Sequence, residues 1–155
     1  VGTVTFAETT YAPLPMKFEA GTQNFASAAT LKPAIDFINL LSDNQLIKHN
    51  DQIRDYLLDY FLNDERIKLY GVPRGTSKEK IPLFSFTVDR VHHEDLALIL
   101  DKMGIAVRSG QMCAEPLMDR FGVTGMLRVS LAPYNTMQEA EYFIKCLDKA
   151  IAMLE

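Results

Sequence analysis

The chain has 155 residues, 48% of them hydrophobic and 23% charged, an ordinary balance for a globular protein that can bury one core. Its formal net charge of −4 and the lack of any basic run argue against a nucleic-acid surface. No apolar run is long enough to cross a membrane, and two cysteines are too few for a disulfide framework, which favours a reducing cytoplasm.

The first 22 residues are predicted to form an extended arm. Val4 and Phe6 alternate with polar residues, and two prolines then keep the chain extended. Because the sequence starts at Val1 rather than at a methionine and already shows a strand-like pattern, we expect it to be a piece of a longer protein.

Helical spacing of apolar residues predicts a helix over residues 24–41, which Pro33 should kink or restart. A break at residues 42–44 should separate it from a second helix over 45–62. A short strand is expected at 67–70, followed by a turn-rich loop over 71–80.

Alternation then predicts a half-buried strand at 83–88. A third helix is expected over 92–103, with Gly104 as its C-terminal cap, and a short strand at 105–107 should lead into the loop that carries Cys113. One or two helical turns over 116–121 follow, with Pro116 suited to the first position.

A strand at 126–131 should place Leu127, Val129 and Leu131 on one face and Arg128 on the other. A capping-box pattern at residues 136–139 opens the last helix, whose apolar stripe reaches residue 154. Strands separated by helices predict an α+β fold, a sheet of a few strands with helices on one side.

The loop Arg-Ser-Gly-Gln-Met-Cys-Ala-Glu-Pro at residues 108–116 is the most informative segment. A thiol reacts as its thiolate, which nearby cations favour, and arginine grips carboxylates with a two-pronged geometry. Cys113 is therefore a candidate nucleophile, and Arg108 and Arg128 form a candidate carboxylate clamp. From the residues alone, Cys113 could equally be a structural thiol, and either arginine an ordinary surface charge.

The other cysteine is expected to be structural, and the three histidines are not expected to bind a metal. Cys146 lies on the apolar side of the last helix and should belong to the core. His92 and His93 are adjacent and His49 is isolated, which is no metal-ligand spacing. We expect His92 and His93 to begin a helix as solvated residues, and we predict no metal site.

Five segments resemble successive signatures of Suf-type cysteine desulfurases and selenocysteine lyases, which are fold-type I, class V aminotransferase-like enzymes that use pyridoxal phosphate (PLP). The resemblance extends from about residue 12 to residue 154, and the short loop before Cys113 resembles the Suf-type rather than the Isc/Nif-type branch. The segments are Phe-Glu-Ala-Gly-Thr-Gln-Asn at 18–24, Ala-Val-Arg-Ser-Gly at 106–110, Cys-Ala-Glu-Pro-Leu-Met at 113–118, Arg-Val-Ser-Leu at 128–131 and Tyr-Asn-Thr at 134–136.

This resemblance implies only the C-terminal portion of such an enzyme. Residues 1–44 would be an arm and helix at the edge of the missing cofactor domain, and residues 45–155 the small C-terminal domain with a mostly antiparallel sheet. None of the nine lysines stands in the Ser-x-His-Lys setting of the family's Schiff-base lysine. We therefore expect that the fragment alone neither binds PLP stably nor releases alanine from cysteine.

The resemblance also implies residue roles. Cys113 matches the nucleophile that takes sulfur from L-cysteine, or selenium from selenocysteine, and leaves a persulfide and alanine. Arg128 matches the arginine that holds the substrate carboxylate, and Arg108 a second arginine near the loop. Gly21 and Thr22 match the place where a partner subunit reaches the PLP phosphate, which implies a homodimer. A Suf-type acceptor protein would then pass the sulfur to iron–sulfur cluster assembly.

One departure from the family pattern lies beside the thiol. Gln111 and Met112 stand where family members usually carry two histidines, so no imidazole precedes Cys113. The alternatives are another class V enzyme, against which Cys113 argues because those reactions need no thiol nucleophile, and a standalone sulfur-carrying or partner-binding module.

Overall fold

The computed structural model describes residues 1–41, 44–71 and 80–155. These residues form two compact units, Val1–Leu41 and Ser42–Glu155, and no described helix is long and apolar enough to span a membrane. The helices are α1 (Phe25–Ala29), α2 (Leu31–Leu41), α3 (Asn44–Asn63), α4 (His93–Lys102), α5 (Glu115–Phe121) and α6 (Met137–Leu154), and the strands are β1 (Ile67–Tyr70), β2 (Leu83–Val88), β3 (Arg108–Gly110) and β4 (Met126–Ser130).

The first unit corrects the expectation of an extended arm. The backbone amide of Gly2 donates to the carbonyl of Thr10 at 2.8 Å, so the first ten residues fold back on themselves, and a 3-10 turn follows at Met16–Phe18. The expected restart is confirmed, because α1 ends before Thr30 and α2 begins at Leu31. Pro33 thus falls in the first turn of α2, where its missing amide leaves no helical hydrogen bond unmade.

Residues 42–43 and 72–79 lie outside the described residues, and with them most of the expected break at 42–44 and of the turn-rich loop at 71–80. The other helices and strands of the second unit lie close to their predicted positions, with one exception at β3. Pro116 is the second residue of α5 rather than the first.

A four-stranded antiparallel sheet in the order β1-β2-β4-β3 forms the centre of the second unit. Its residues alternate as predicted, because Phe84, Phe86 and Val88 of β2 are all buried on one face with Leu127 and Val129 of β4. The α+β architecture inferred from the sequence is confirmed.

The strand predicted at residues 105–107 is wrong, since β3 is Arg108–Gly110. The amide of Ile105 donates to the carbonyl of Leu100 at 2.9 Å, and Gly104 has a φ of 78°. Ile105 thus closes the end of α4, as in a common helix C-terminal motif, and is not free to begin a strand. Only after that turn can the chain pair with β4, where Gly110 lies opposite Met126.

Helices α3, α4 and α6 cover one face of the sheet and enclose the main core, which includes Leu57, Phe61, Leu100, Phe143 and Leu147. The short helix α5 lies on the other face, where Met118 contacts Tyr70 and Met126 in a separate small cluster. Apart from Leu83, the rest of this second face carries polar side chains, among them Ser85 and Thr87. It is the face on which Arg128 lies, because residues two apart on a strand share a side.

Helix α6 begins as predicted. The Thr136 hydroxyl accepts from the amide of Glu139 at 3.2 Å, and the Glu139 carboxylate accepts from the amide of Thr136 at 2.7 Å. These reciprocal bonds satisfy two amides that the first helical turn cannot. The bond from the Thr136 backbone also lowers the pKa of Glu139 below its ordinary value.

Candidate functional site

The register of the sheet brings the two candidate arginines together. Arg108 of the edge strand β3 lies directly opposite Arg128 of β4, and Ser85 of β2 lies on the other side of Arg128. Directly opposed residues share a face of the sheet, with Cβ atoms about 4.5–5.5 Å apart. The second face therefore carries a row of one hydroxyl and two guanidinium groups.

Neither arginine has an acidic partner within the described part of the chain. The Nε atom of Arg128 is buried and makes no hydrogen bond there. Like charges directly opposite one another destabilise a sheet, and a buried donor without an acceptor costs free energy. The fold therefore holds two cations in an arrangement that an anion with two oxygens, such as a carboxylate, would relieve.

Cys113 lies next to this pair. Its thiol is free and exposed, and Nη2 of Arg108 lies 3.9 Å from Sγ. The contact is a weak N–H···S hydrogen bond in which Arg108 donates to the sulfur. Cys146, by contrast, is buried in the main core, as the sequence predicted.

The loop that presents the thiol has an unusual backbone. Gly110 has a φ of 113°, and Met112 and Cys113 follow with φ values of 58° and 59°. Left-handed conformations cost non-glycine residues roughly 1–2 kcal/mol each, and such strain concentrates at functional sites. The amide of Ala114 donates to the carbonyl of Gln111 at 3.0 Å and closes the turn. Nothing in the sequence beyond Gly110 predicts this geometry.

His93 corrects the expectation of a solvated residue. Its side chain is buried, and Nδ1 lies 2.7 Å from Oγ of Ser109 in β3. Burial, helped by the neighbouring His92, lowers the pKa of His93 below its ordinary value. His92 does stay exposed, and its ring accepts a 3.4 Å hydrogen bond from the amide of Glu94 at the start of α4.

Gly21 and Thr22, the predicted phosphate contacts, belong to the first unit. Both are exposed, and Gly21 has a φ of 74° with open space where a Cβ would be. Asn24, not Thr22, caps α1, because its side chain accepts from the amide of Ser27 at 3.2 Å. An exposed amide and hydroxyl suit a phosphate contact, and their role stays a prediction.

A cavity of about 600 Å³ lies elsewhere on the second unit. Neither Cys113 nor the two arginines line it, and its walls mix the cations Arg66 and Lys68 with the anions Glu65 and Asp89. The arginine row and the thiol, rather than this cavity, are therefore the candidate site. Within the described ranges, no group of three or more metal-ligating side chains is arranged around a common point.

Comparison with known proteins identifies the family. A model of the class-V aminotransferases matches residues 1–143. The chain belongs to this family. A probable cysteine desulfurase of Vibrio cholerae is 40% identical over 151 residues, which are 97% of this chain and 36% of that protein. A cysteine desulfurase of Haloferax volcanii is 32% identical, over 97% of this chain and 34% of its own length.

Solved structures agree with the family assignment. The cysteine desulfurase CsdA of Escherichia coli, in an S-sulfonic acid form, superposes with a TM-score of 0.79 at 31% identity and covers 99% of this chain. A cysteine desulfurase of Thermococcus onnurineus gives the same TM-score at 30% identity. This member of the class-V aminotransferases spans 37% of each solved chain, about a third of the relatives it matches. The resemblance inferred from the sequence motifs is confirmed at the level of the family.

Proposed function

We propose that this chain is the C-terminal, thiol-bearing part of a PLP-dependent cysteine desulfurase of the Suf type. The parent would convert L-cysteine, or selenocysteine, to alanine and leave the chalcogen on Cys113. One observation carries the proposal: Arg108 lies directly opposite Arg128 and also 3.9 Å from the Cys113 sulfur. A substrate held by its carboxylate at the arginine pair would lie within reach of the thiol.

Each residue has a separate task in this proposal. Arg128 and Arg108 bind the substrate carboxylate and fix its orientation, which lowers the entropic cost of reaching a reactive geometry. The Cys113 sulfur attacks the substrate sulfur, the substrate's Cβ–S bond breaks, and the carbon receives a proton to become alanine. One thiol and one cysteine thus give one persulfide and one alanine. PLP bound in the parent would supply the electron sink that lets this carbon–sulfur bond break.

The residues of this chain would contribute only part of the PLP site. The Gly21 amide and the Thr22 hydroxyl fit a phosphate contact and would serve the site of a second subunit in a homodimer. None of the nine lysines has the Schiff-base context, so we propose that the fragment alone is inactive. The 155-residue chain mixed with PLP should show no borohydride-sensitive absorbance band of lysine-bound cofactor. Appearance of such a band would overturn this part of the proposal.

The sulfur acceptor is proposed to be a Suf-type protein that serves iron–sulfur cluster assembly in a reducing cytoplasm. Two features support this: the loop between Arg108 and Cys113 is short, and the thiol at its end is exposed to an incoming partner. A free thiol also needs a reducing compartment to stay reactive.

The deciding experiment replaces the thiol in the longer protein. Cys113→Ser should abolish persulfide and alanine formation and leave the PLP absorbance unchanged, because sulfur transfer and cofactor anchoring depend on different residues. Cys146→Ala is the matched control, since Cys146 is buried in the core and should affect stability alone. Continued alanine release by Cys113→Ser would contradict the assignment of the nucleophile.

A standalone sulfur carrier is the second candidate, favoured by an exposed thiol in a chain without the lysine context. Such a carrier would accept sulfur from a small persulfide donor and pass it to a thiol acceptor without PLP. Transfer by the isolated 155-residue chain at a rate comparable with that of the longer protein would favour this second function.

A further inference from the structure

The edge strand β3 needs an anchor beyond its pairing with β4. It has three residues, each with a partner on one side only, because the sheet order ends at β3. The pairing also sets the cations Arg108 and Arg128 against each other, which weakens it. A three-residue strand under such repulsion is poorly held by its ladder alone.

The anchor lies on the opposite face of the strand. Ser109 alternates with its neighbours, so its side chain points away from Arg108 and toward the start of α4. There its hydroxyl meets Nδ1 of His93 at 2.7 Å. His93 is the first residue of α4 and is only 8% exposed.

The same imidazole ring also packs closely against the residue before β4. A Cβ placed on Gly125, the residue before β4, would overlap Nε2 and Cε1 of the His93 ring. The backbone of Gly125 is not in the left-handed conformation that favours glycine. Glycine is required at this position because the His93 ring leaves no space for a side chain. His93 is thus wedged between the middle of β3 and the entry of β4, at the end where the chain leaves for the Cys113 loop.

We infer that His93 is a positioning residue of the proposed site: through Ser109 and Gly125 it fixes β3 against β4 and so sets Arg108 relative to Arg128 and the thiol. The hydrogen bond of its ring is to Ser109, not to Cys113 or to either arginine. The inference rests on the proposed function for its catalytic meaning, whereas the geometry of the anchor is independent of it.

The test uses the longer protein with its PLP and compares four variants. Ser109→Ala deletes the hydroxyl and leaves the ring, and His93→Ala removes both contacts. His93→Asn can keep the bond to Ser109, because its side-chain amide reaches the position of Nδ1. Tyr142→Phe is the matched control, since it also deletes one hydroxyl that bonds to an end of the α4 region, at 3.1 Å from the carbonyl of Met103.

We expect Ser109→Ala and His93→Ala to raise KM for L-cysteine at least threefold and to slow alkylation of Cys113 by iodoacetamide at least threefold, as measured by mass spectrometry. His93→Asn should stay within twofold of the unmodified protein in both measurements. Tyr142→Phe should change only the melting temperature. If Ser109→Ala matches Tyr142→Phe, with KM and alkylation rate both unchanged, the positioning role is overturned.

The two levels of the proposal fail separately. Alanine release by Cys113→Ser would defeat the proposed function, while the alkylation rates in Ser109→Ala and His93→Asn need no desulfurase reaction and still test the anchor. Suppose that Cys113→Ser loses activity as expected, while Ser109→Ala leaves KM and the alkylation rate of Cys113 unchanged. That result would contradict the positioning role of His93 and leave the proposed function standing.

Discussion

Arg128 combines a buried, unpaired Nε atom with a like-charged neighbour across the strand. Both features destabilise the unliganded fold, and both would be relieved by a bound carboxylate. A stabilising ligand that binds only the folded state shifts the folding equilibrium as well, so this site should couple substrate affinity to stability.

In the proposed parent enzyme, Arg128→Lys should lower kcat/KM for L-cysteine by about 10- to 150-fold, the equivalent of losing one charge-assisted hydrogen bond of about 1.5–3 kcal/mol. Lysine keeps the charge and loses the two-pronged geometry. The melting temperature should not fall, because Arg128 lies on the face away from Leu127 and Val129 and lysine removes the buried, unpaired Nε atom. Arg120→Lys on α5, which is exposed, is the control and should leave kcat/KM unchanged. Unfolding of Arg128→Lys with normal cysteine affinity would instead make Arg128 structural.

The candidate residues could be found from their chemistry, but their arrangement could not. Cys113 and Arg128 are chemically distinctive and carry motifs, whereas their proximity depends on which residue of β3 faces Arg128. That register depends on tertiary pairing. The left-handed backbone at Met112 and Cys113 likewise has no sequence signal, since neither residue type favours a positive φ.

Among the elements, the helices and the strands β2 and β4 follow from periodicity because each buries one side against a large core. Strand β3 does not, because the apolar pattern at residues 105–107 marks a helix end that leans on the core. Helix α5 lies at its predicted position, but it departs from the expectation that the helices share one side of the sheet. A seven-residue helix has too little periodicity to show which face it covers.

The contact between α4 and the entry of β4 gives a prediction at the scale of elements. Gly125→Ala in this chain should lower the free energy of unfolding by about 1–3 kcal/mol, because the new methyl group meets the His93 ring. Most of that cost should disappear in a His93→Ala background, where the ring is absent. Urea denaturation of the two single variants and the double variant measures this coupling. Equal costs in both backgrounds would show that the ring is not what excludes a side chain.

At the scale of the molecule, one ion-pair network ties α3, the turn between α3 and β1, and α6 together. Arg66 bonds Asp64 at 2.6 Å and Asp148 at 2.7 Å, and Tyr60 of α3 donates to Asp148 at 3.0 Å. The hydrogen bond from Arg66 lowers the pKa of Asp64 below its ordinary value, against an opposing effect of burial. The pKa of Tyr60 is raised, chiefly by burial.

The network predicts how stability depends on pH. A carboxyl group with a lowered pKa in the folded state stabilises the protein above its unfolded pKa of about 4, and this contribution is lost as pH falls through the folded value. Asp64→Asn should therefore lower the free energy of unfolding by about 1–2 kcal/mol at pH 7, a modest cost because Arg66 is partly exposed and its pairing is screened. The cost should shrink toward pH 2, because Asp64 itself becomes protonated there. Urea denaturation across this range, with the exposed Asp119→Asn as control, measures the difference. A cost that does not shrink in acid would contradict the assignment.

No residue of the first unit is buried within it, although α2 displays Leu31, Ile35 and Ile38 along one side. Isolated helices shorter than about 12–15 residues are marginal in water, so this segment should open easily unless something covers it. Trypsin should cut after Lys17 at least tenfold faster than after Lys145, a result that timed digestion with mass spectrometry can check. In a cell, proteases degrade chains whose segments open easily. Molecules in which nothing packs against the apolar side of α2 should therefore be degraded first.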